Sequence, residues 1–137
     1  MTSELIPLTF DKIMQTRSYT VVVLGSQQKK FAIYTEPNVG QILQTYLTGK
    51  EHARPFTHDL IDLIFRGLDV KVKQVVINDV QDTIYFARVF LEQKINGITH
   101  IIEIDARPSD CITLALMNNA PVFCTKEMLE KTVPITT

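Results

Sequence analysis

At 137 residues, 45% of them hydrophobic, the chain is long enough to bury one sizeable core and carries no linker-like stretch that would divide it, so a single domain is expected. Fourteen Lys and Arg against fifteen Asp and Glu leave a formal net charge of -1, which excludes a surface that grips nucleic-acid backbones by bulk charge; any phosphate contact has to be local. No segment reaches the roughly 18 apolar residues of a membrane span, and the first residues lack the basic and apolar run of a secretory leader, so a cytoplasmic protein without a membrane partner is expected.

In chain order, apolar alternation predicts strands near 4–10, 18–25 and 29–35, then a helix near 37–48. Gly40 inside that helix weakens it by about 1 kcal/mol relative to Ala. A second helix is expected near 58–67, with Thr57 as its N-cap, His58 and Asp59 in its first turn, and Leu60, Ile61, Ile64, Phe65 and Leu68 as its apolar face. Strands follow near 70–80, 83–93 and 97–105, a helix near 108–118, a short strand at Pro121 to Cys124, and a last helix at 126–132. Phe31, Ile33, Pro37 and Leu43 recur in spacing as Ile102, Ile104, Pro108 and Leu114, which suggests two β3α units as pseudo-repeats. Hairpins within each triplet imply a largely antiparallel sheet packed by helices, an α+β domain. Cys111 and Cys124 lie in apolar segments without metal-ligand spacing and are expected to be reduced core residues.

Three places carry candidate chemistry. At Asp105-Ala106-Arg107-Pro108-Ser109-Asp110 a strand turns into a helix with two carboxylates and a guanidinium at the junction; Pro108 suits the first helical turn, and free N–H groups there favour anions. The same residues also fit a plain reading, with Asp105 or Ser109 capping the helix and Arg107 paired to a carboxylate. His58 and Asp59 stand at a second helix mouth, where capping is again the ordinary role. Arg88 sits within Ile84–Leu91, a run apolar on both faces as in a covered central strand; a buried guanidinium there needs Asp79, Glu103, Asp105 or Asp110 as partner. Lys71 and Lys73, and Lys29-Lys30, suit solvated faces, and Asp82 with Glu92-Gln93-Lys94 only loosely imitates a metal-nuclease pattern. His52 and His100 stand isolated as ordinary polar positions.

The segment DARPSDCITLALMNNAPVFCTKEML, Asp105 to Leu129, resembles the signature of the bifunctional nuclease family. Arg54-Pro55-Phe56-Thr57-His58-Asp59-Leu60 is similar to a second motif of that family, and Val75–Asp79 with Thr83–Arg88 to a third, so the likeness runs from about Leu5 to Lys131. It implies hydrolysis of phosphodiester bonds in RNA and DNA, with nucleic acid as substrate. On that likeness the candidate catalytic residues are His58, Asp59, Asp105 and Asp110. Arg88, Arg107 and Ser109 would hold the substrate, and Asp105 with Asp110 would offer oxygen ligands to Mg²⁺ or Mn²⁺. The other reading keeps the same residues as a non-catalytic site for an anionic ligand or a protein partner. The chain departs from the family at Tyr34-Thr35-Glu36-Pro37-Asn38-Val39-Gly40, where Glu36 is displaced or Asn38 stands in a carboxylate's place. A homo-oligomer, a dimer above all, is expected from edge strands that offer a pairing surface.

Overall fold

A computed structural model describes residues 4–135. β1 (Leu5–Gln15), β2 (Thr20–Gly25) and β3 (Lys30–Thr35) form an antiparallel meander that runs into helix α1 (Pro37–Thr48). After α2 (Thr57–Gly67), the second meander of β4 (Val70–Gln81), β5 (Ile84–Ile95) and β6 (Ile98–Ala106) runs into α3 (Pro108–Asn118). β7 (Val122–Thr125) and α4 (Lys126–Lys131) follow. The seven strands make one sheet in the order β3-β2-β1-β7-β4-β5-β6. β7 is inserted between the two meanders, antiparallel to β1 and parallel to β4. The expected α+β architecture with paired β3α units is present.

The two halves enter their helices alike. Glu36 and Arg107 are the extended N-cap residues of α1 and α3, each followed by Pro at the first helical position, where the missing N–H would have no helical partner. Both helices end on a left-handed residue, Gly49 and Asn119. The β5–β6 hairpin turns on Asn96-Gly97, both at positive φ, as a two-residue turn between right-twisted strands demands.

The main core joins both halves: Val22, Leu24, Phe31 and Ile33 from the first meander, Val75, Ile77, Ala87 and Val89 from the second, and Leu43, Ile112 and Met128 from the helices. The sheet wraps around this core far enough to stack Phe31 of β3 on Tyr85 of β5, with ring centroids 5.5 Å apart. At Gly40, α1 lies close against β1 and β2. A Cβ there would lie 2.4 Å from Thr20 Oγ1 and 2.5 Å from Gln15 Nε2, and both side chains donate to the Pro37 carbonyl. The propensity cost expected of Gly40 is thus the condition for docking the helix.

Three expectations change. β1 continues to Gln15 because an irregularity between Phe10 and Lys12 shifts its register and breaks the alternation that marks a strand. Thr57 is the first residue of α2 rather than its cap; Phe56 takes that place, and its N–H donates to Asp59 Oδ2 at 2.7 Å. Of the apolar face expected on α2, Ile61 and Phe65 pack on the core, whereas Leu60, Ile64 and Leu68 are 50–59% exposed.

Candidate functional site

The wrapping of the sheet brings the two strand-to-helix junctions to one cleft of about 650 Å³. Glu36 and Pro37 come from the first junction, Arg107, Pro108 and Ser109 from the second, and Tyr34 and Tyr85 flank them from β3 and β5. Equivalent backbones therefore present an acid and a base across the same space. The Asp110 hydrogen bond and charge, and further off the charge of Glu36, hold the Arg107 guanidinium above its usual pKa. Burial and the neighbouring Tyr34 push the Tyr85 phenol up to about 12, so it remains a neutral hydroxyl on the cleft wall.

Behind Arg107 lies a compact cluster. Arg107 Nε donates to Asp110 Oδ2 at 2.9 Å and its Nη2 to Oδ1 at 3.3 Å. His58 Nε2 meets Asp110 Oδ1 at 2.9 Å across 52 residues of sequence. Burial works against the charge on Asp110, but the hydrogen bonds from Arg107 and His58 outweigh it and hold the carboxyl below the usual carboxylate range. The His58 side chain is only 13% exposed, and its buried Nδ1 has no hydrogen-bond partner among the described residues. Facing a carboxylate, Nε2 carries a proton and donates it to Asp110 Oδ1. His58 thus fixes Asp110, and Asp110 fixes Arg107. Two guanidinium N–H groups are spent on Asp110; of its five donors the others remain for the cleft.

Asp59 belongs to a different pair. Its Oδ2 lies 2.6 Å from His52 Nε2, and His52 stacks on Phe56 with centroids 4.0 Å apart. Burial opposes the Asp59 charge, and the Phe56 N–H with His52 overcomes it to hold this carboxyl low as well. Burial and the Asp59 charge push the Tyr46 phenol up. His52, expected to be an isolated polar residue, is half of this pair; nothing in its sequence neighbourhood announces a contact seven residues on.

Arg88 is not enclosed as expected. Its side chain is 37% exposed and Nε donates to Glu103 Oε1 at 2.6 Å, one of the four anticipated partners. Asp105 stands opposite Arg88 in the β5–β6 register, and strand alternation puts it on the same sheet face as Glu103 and Arg88. α3, with Asp110, packs on the other face, over Ala87 and Val89. The structure therefore joins His58, Arg107 and Asp110, with Ser109 beside them, and leaves Asp59 paired with His52 and Asp105 beside Arg88 on the opposite face of the sheet.

This arrangement does not suit the divalent-cation site expected at Asp105 and Asp110. The two carboxylates belong to different faces, both Asp110 oxygens are turned to a guanidinium and an imidazole, and among the described residues no three His, Cys, Asp or Glu side chains converge on a metal-sized point. Cys111 and Cys124 are buried free thiols as expected. Burial first, then Asp110 and Asp105, push the Cys111 thiol up to about 12, and burial alone takes Cys124 to about 11, so neither serves as a nucleophile.

An α+β domain of two β3α halves, with Glu and Arg facing one another across the cleft their helices share, defines the class. The model of the bifunctional nuclease domain matches residues 22–135, and the chain belongs to that family. Two curated relatives from strains of Mycobacterium tuberculosis, the uncharacterized proteins MT1877 and Rv1829, are each 32% identical over 81 residues, 59% of this chain and 45% of the relative. The chain spans less than half the length of these curated relatives. None of the described helices is long and apolar enough to cross a membrane.

Proposed function

We propose that this chain hydrolyses phosphodiester bonds of RNA and DNA in the cleft between the α1 and α3 N-termini. The observation that carries the reading is Arg107, locked in place by Asp110 and His58 and lining that cleft opposite Glu36. Arg107 would bind a non-bridging phosphate oxygen and stabilise the charge that grows there as the pentavalent state forms. Ser109 and the start of α3 would add donors to the same oxygens. Glu36 is the carboxylate on the cleft wall, and it would take the proton of the attacking water; as the new P–O bond forms, the bond to the leaving sugar oxygen breaks, and that oxygen takes up a proton from solvent water. Catalysis of this kind uses the chain's own residues. His58, Asp110 and Arg107 act in series, so His58 and Asp110 are positioning residues here. Asp59, Asp105 and Arg88 have structural parts.

A second reading has an observation of its own. A net charge of -1 and an Arg107 already paired with Asp110 favour a domain that binds one anionic group without cleaving it. Cleavage of labelled single- and double-stranded RNA and DNA by homogeneous protein, with Mg²⁺, Mn²⁺ or EDTA, separates the two. Turnover that persists in EDTA and is lost in Arg107→Gln supports the nuclease. Salt-dependent binding without turnover supports the second reading, and turnover unchanged in the variant removes the site.

A further inference from the structure

The two edges of the sheet are treated differently. β3 has six residues and starts at Lys30, whose carbonyl accepts from the Ile135 N–H at 2.9 Å; Ile135 also packs on the Val21, Val23 and Ala32 cluster, so the C-terminal segment lies over this edge. β6 has nine residues, contains neither Lys nor Pro, and among the described residues pairs with β5 alone. Its Ile101, Ile102 and Ile104 are 40–49% exposed, spread over both faces. Four of its nine residues are polar or charged, yet a long edge with exposed isoleucines still presents free N–H and C=O groups that template pairing with another chain.

The neighbouring helix shows the same lack of cover. Leu60, Leu63 and Ile64 of α2 are 50–55% exposed. Edge and helix are contiguous: Gln93 Nε2 donates to the Leu68 carbonyl at the end of α2, and Gln93 stands opposite His100 of β6. An antiparallel pair of identical strands is related by a twofold axis perpendicular to the sheet, and such an axis keeps both helix layers on one side. The uncovered leucines of the two α2 helices then come together over the same seam.

We propose that two copies of this chain associate through β6, antiparallel and centred on Ile101, into one continuous sheet sealed by α2 against α2. Side-chain chemistry selects this centre. It places Ile104 opposite Ile98 of the other copy, and Glu103 opposite Thr99, one strand from Lys94, which pairs with Thr99 in the β5–β6 register. A centre at Glu103 would set like charges face to face, and a centre at Ile102 would set Ile101 against Glu103. A standard interface buries about 800 Å² per partner, which is why the proposed seam takes in α2 as well as β6. The cleft opens at the end of β6, where Arg107 follows Ala106, and α2 carries His58, so the seam adjoins the proposed site without including the Arg107 or Glu36 side chains in its strand register.

Light scattering after size exclusion is expected to give twice the 15.6 kDa chain mass for the wild type and a monomer for Ile101→Lys with an unchanged circular dichroism spectrum. Ile101→Cys is expected to close into a disulfide-linked dimer on mild oxidation, whereas Ile104→Cys is not, because its counterpart there is Ile98; this pair decides the matter if the lysine variant fails to fold. A wild-type monomer at all concentrations, a dimer that survives Ile101→Lys, or cross-linking at 104 instead of 101 would overturn the proposal.

Discussion

The two strand-to-helix junctions share a backbone and differ in chemistry. Glu36-Pro37 and Arg107-Pro108 have nearly the same dihedral angles at the N-cap and the same Pro after it, yet one presents a carboxylate with no cap hydrogen bond and the other a guanidinium held at two points by Asp110. α1 has no acid in its first turn; α3 has Asp110, and His58 arrives from α2 to hold it. Duplication of a fold thus yields one cleft with two unlike walls, which a single unit could not make. The first half spends its first turn on packing instead, with Gly40 pressed against Thr20 and Gln15.

Breaking either wall separately tests that division of labour. The largest effect is expected from Glu36→Gln, which removes the proposed base: kcat on labelled RNA should fall by about 10²–10⁴-fold with KM little changed, in steady-state kinetics on folded protein. Arg107→Gln removes a charge-stabilising donor and should cost about 10²–10³-fold in kcat, with weaker substrate binding as well. Gly40→Ala leaves both walls chemically intact but forces a methyl into Thr20 and Gln15; thermal unfolding should show about 1–3 kcal/mol of destabilisation, the reverse of the gain that helix propensity forecasts.

The smallest effects come from acid. The carboxyls of Asp59 and Asp110 are held below their ordinary value by their partners, so each contributes stability that is complete above the unfolded pKa of about 3.9 and is lost as pH falls through the folded one. Stability measured by denaturant titration should decline below about pH 4, and Asp110→Asn should flatten part of that decline while lowering stability at neutral pH. An unchanged slope in the variant would mean that Arg107 and His58 do not hold the carboxylate in solution.

Much of the fold was legible because local rules agree with it. Pro37 and Pro108 open helices, Asn96-Gly97 turns a hairpin, alternation marks the start of β4, and continuous apolar runs mark β2 and β5. What escaped depends on neighbours distant in sequence. The apolar stripe of α2 announces a helix but not which part of the stripe the core reaches, and the second half of β1 is hidden by a register shift. At the site, a carboxylate partner for Arg107 is one of the two readings of the junction, without saying which carboxylate, and Asp110 three residues on supplies it; His58 is a candidate whose contact with Asp110 spans 52 residues. Glu36 was singled out as a displaced carboxylate, and only the curl of the sheet places it on the cleft with Arg107. Asp105 adjoins that junction in sequence, but strand alternation turns it to the other face.

The most direct test is to map, by two-dimensional amide NMR, where a short phosphorothioate-linked oligonucleotide binds the wild-type protein. The account predicts shifts concentrated at Thr35 to Val39 and Arg107 to Cys111, the two helix mouths, that are lost in Arg107→Gln. Shifts centred on Lys71 and Lys73, on Lys29 and Lys30, or around Arg88 and Asp105 on the other face of the sheet would contradict it.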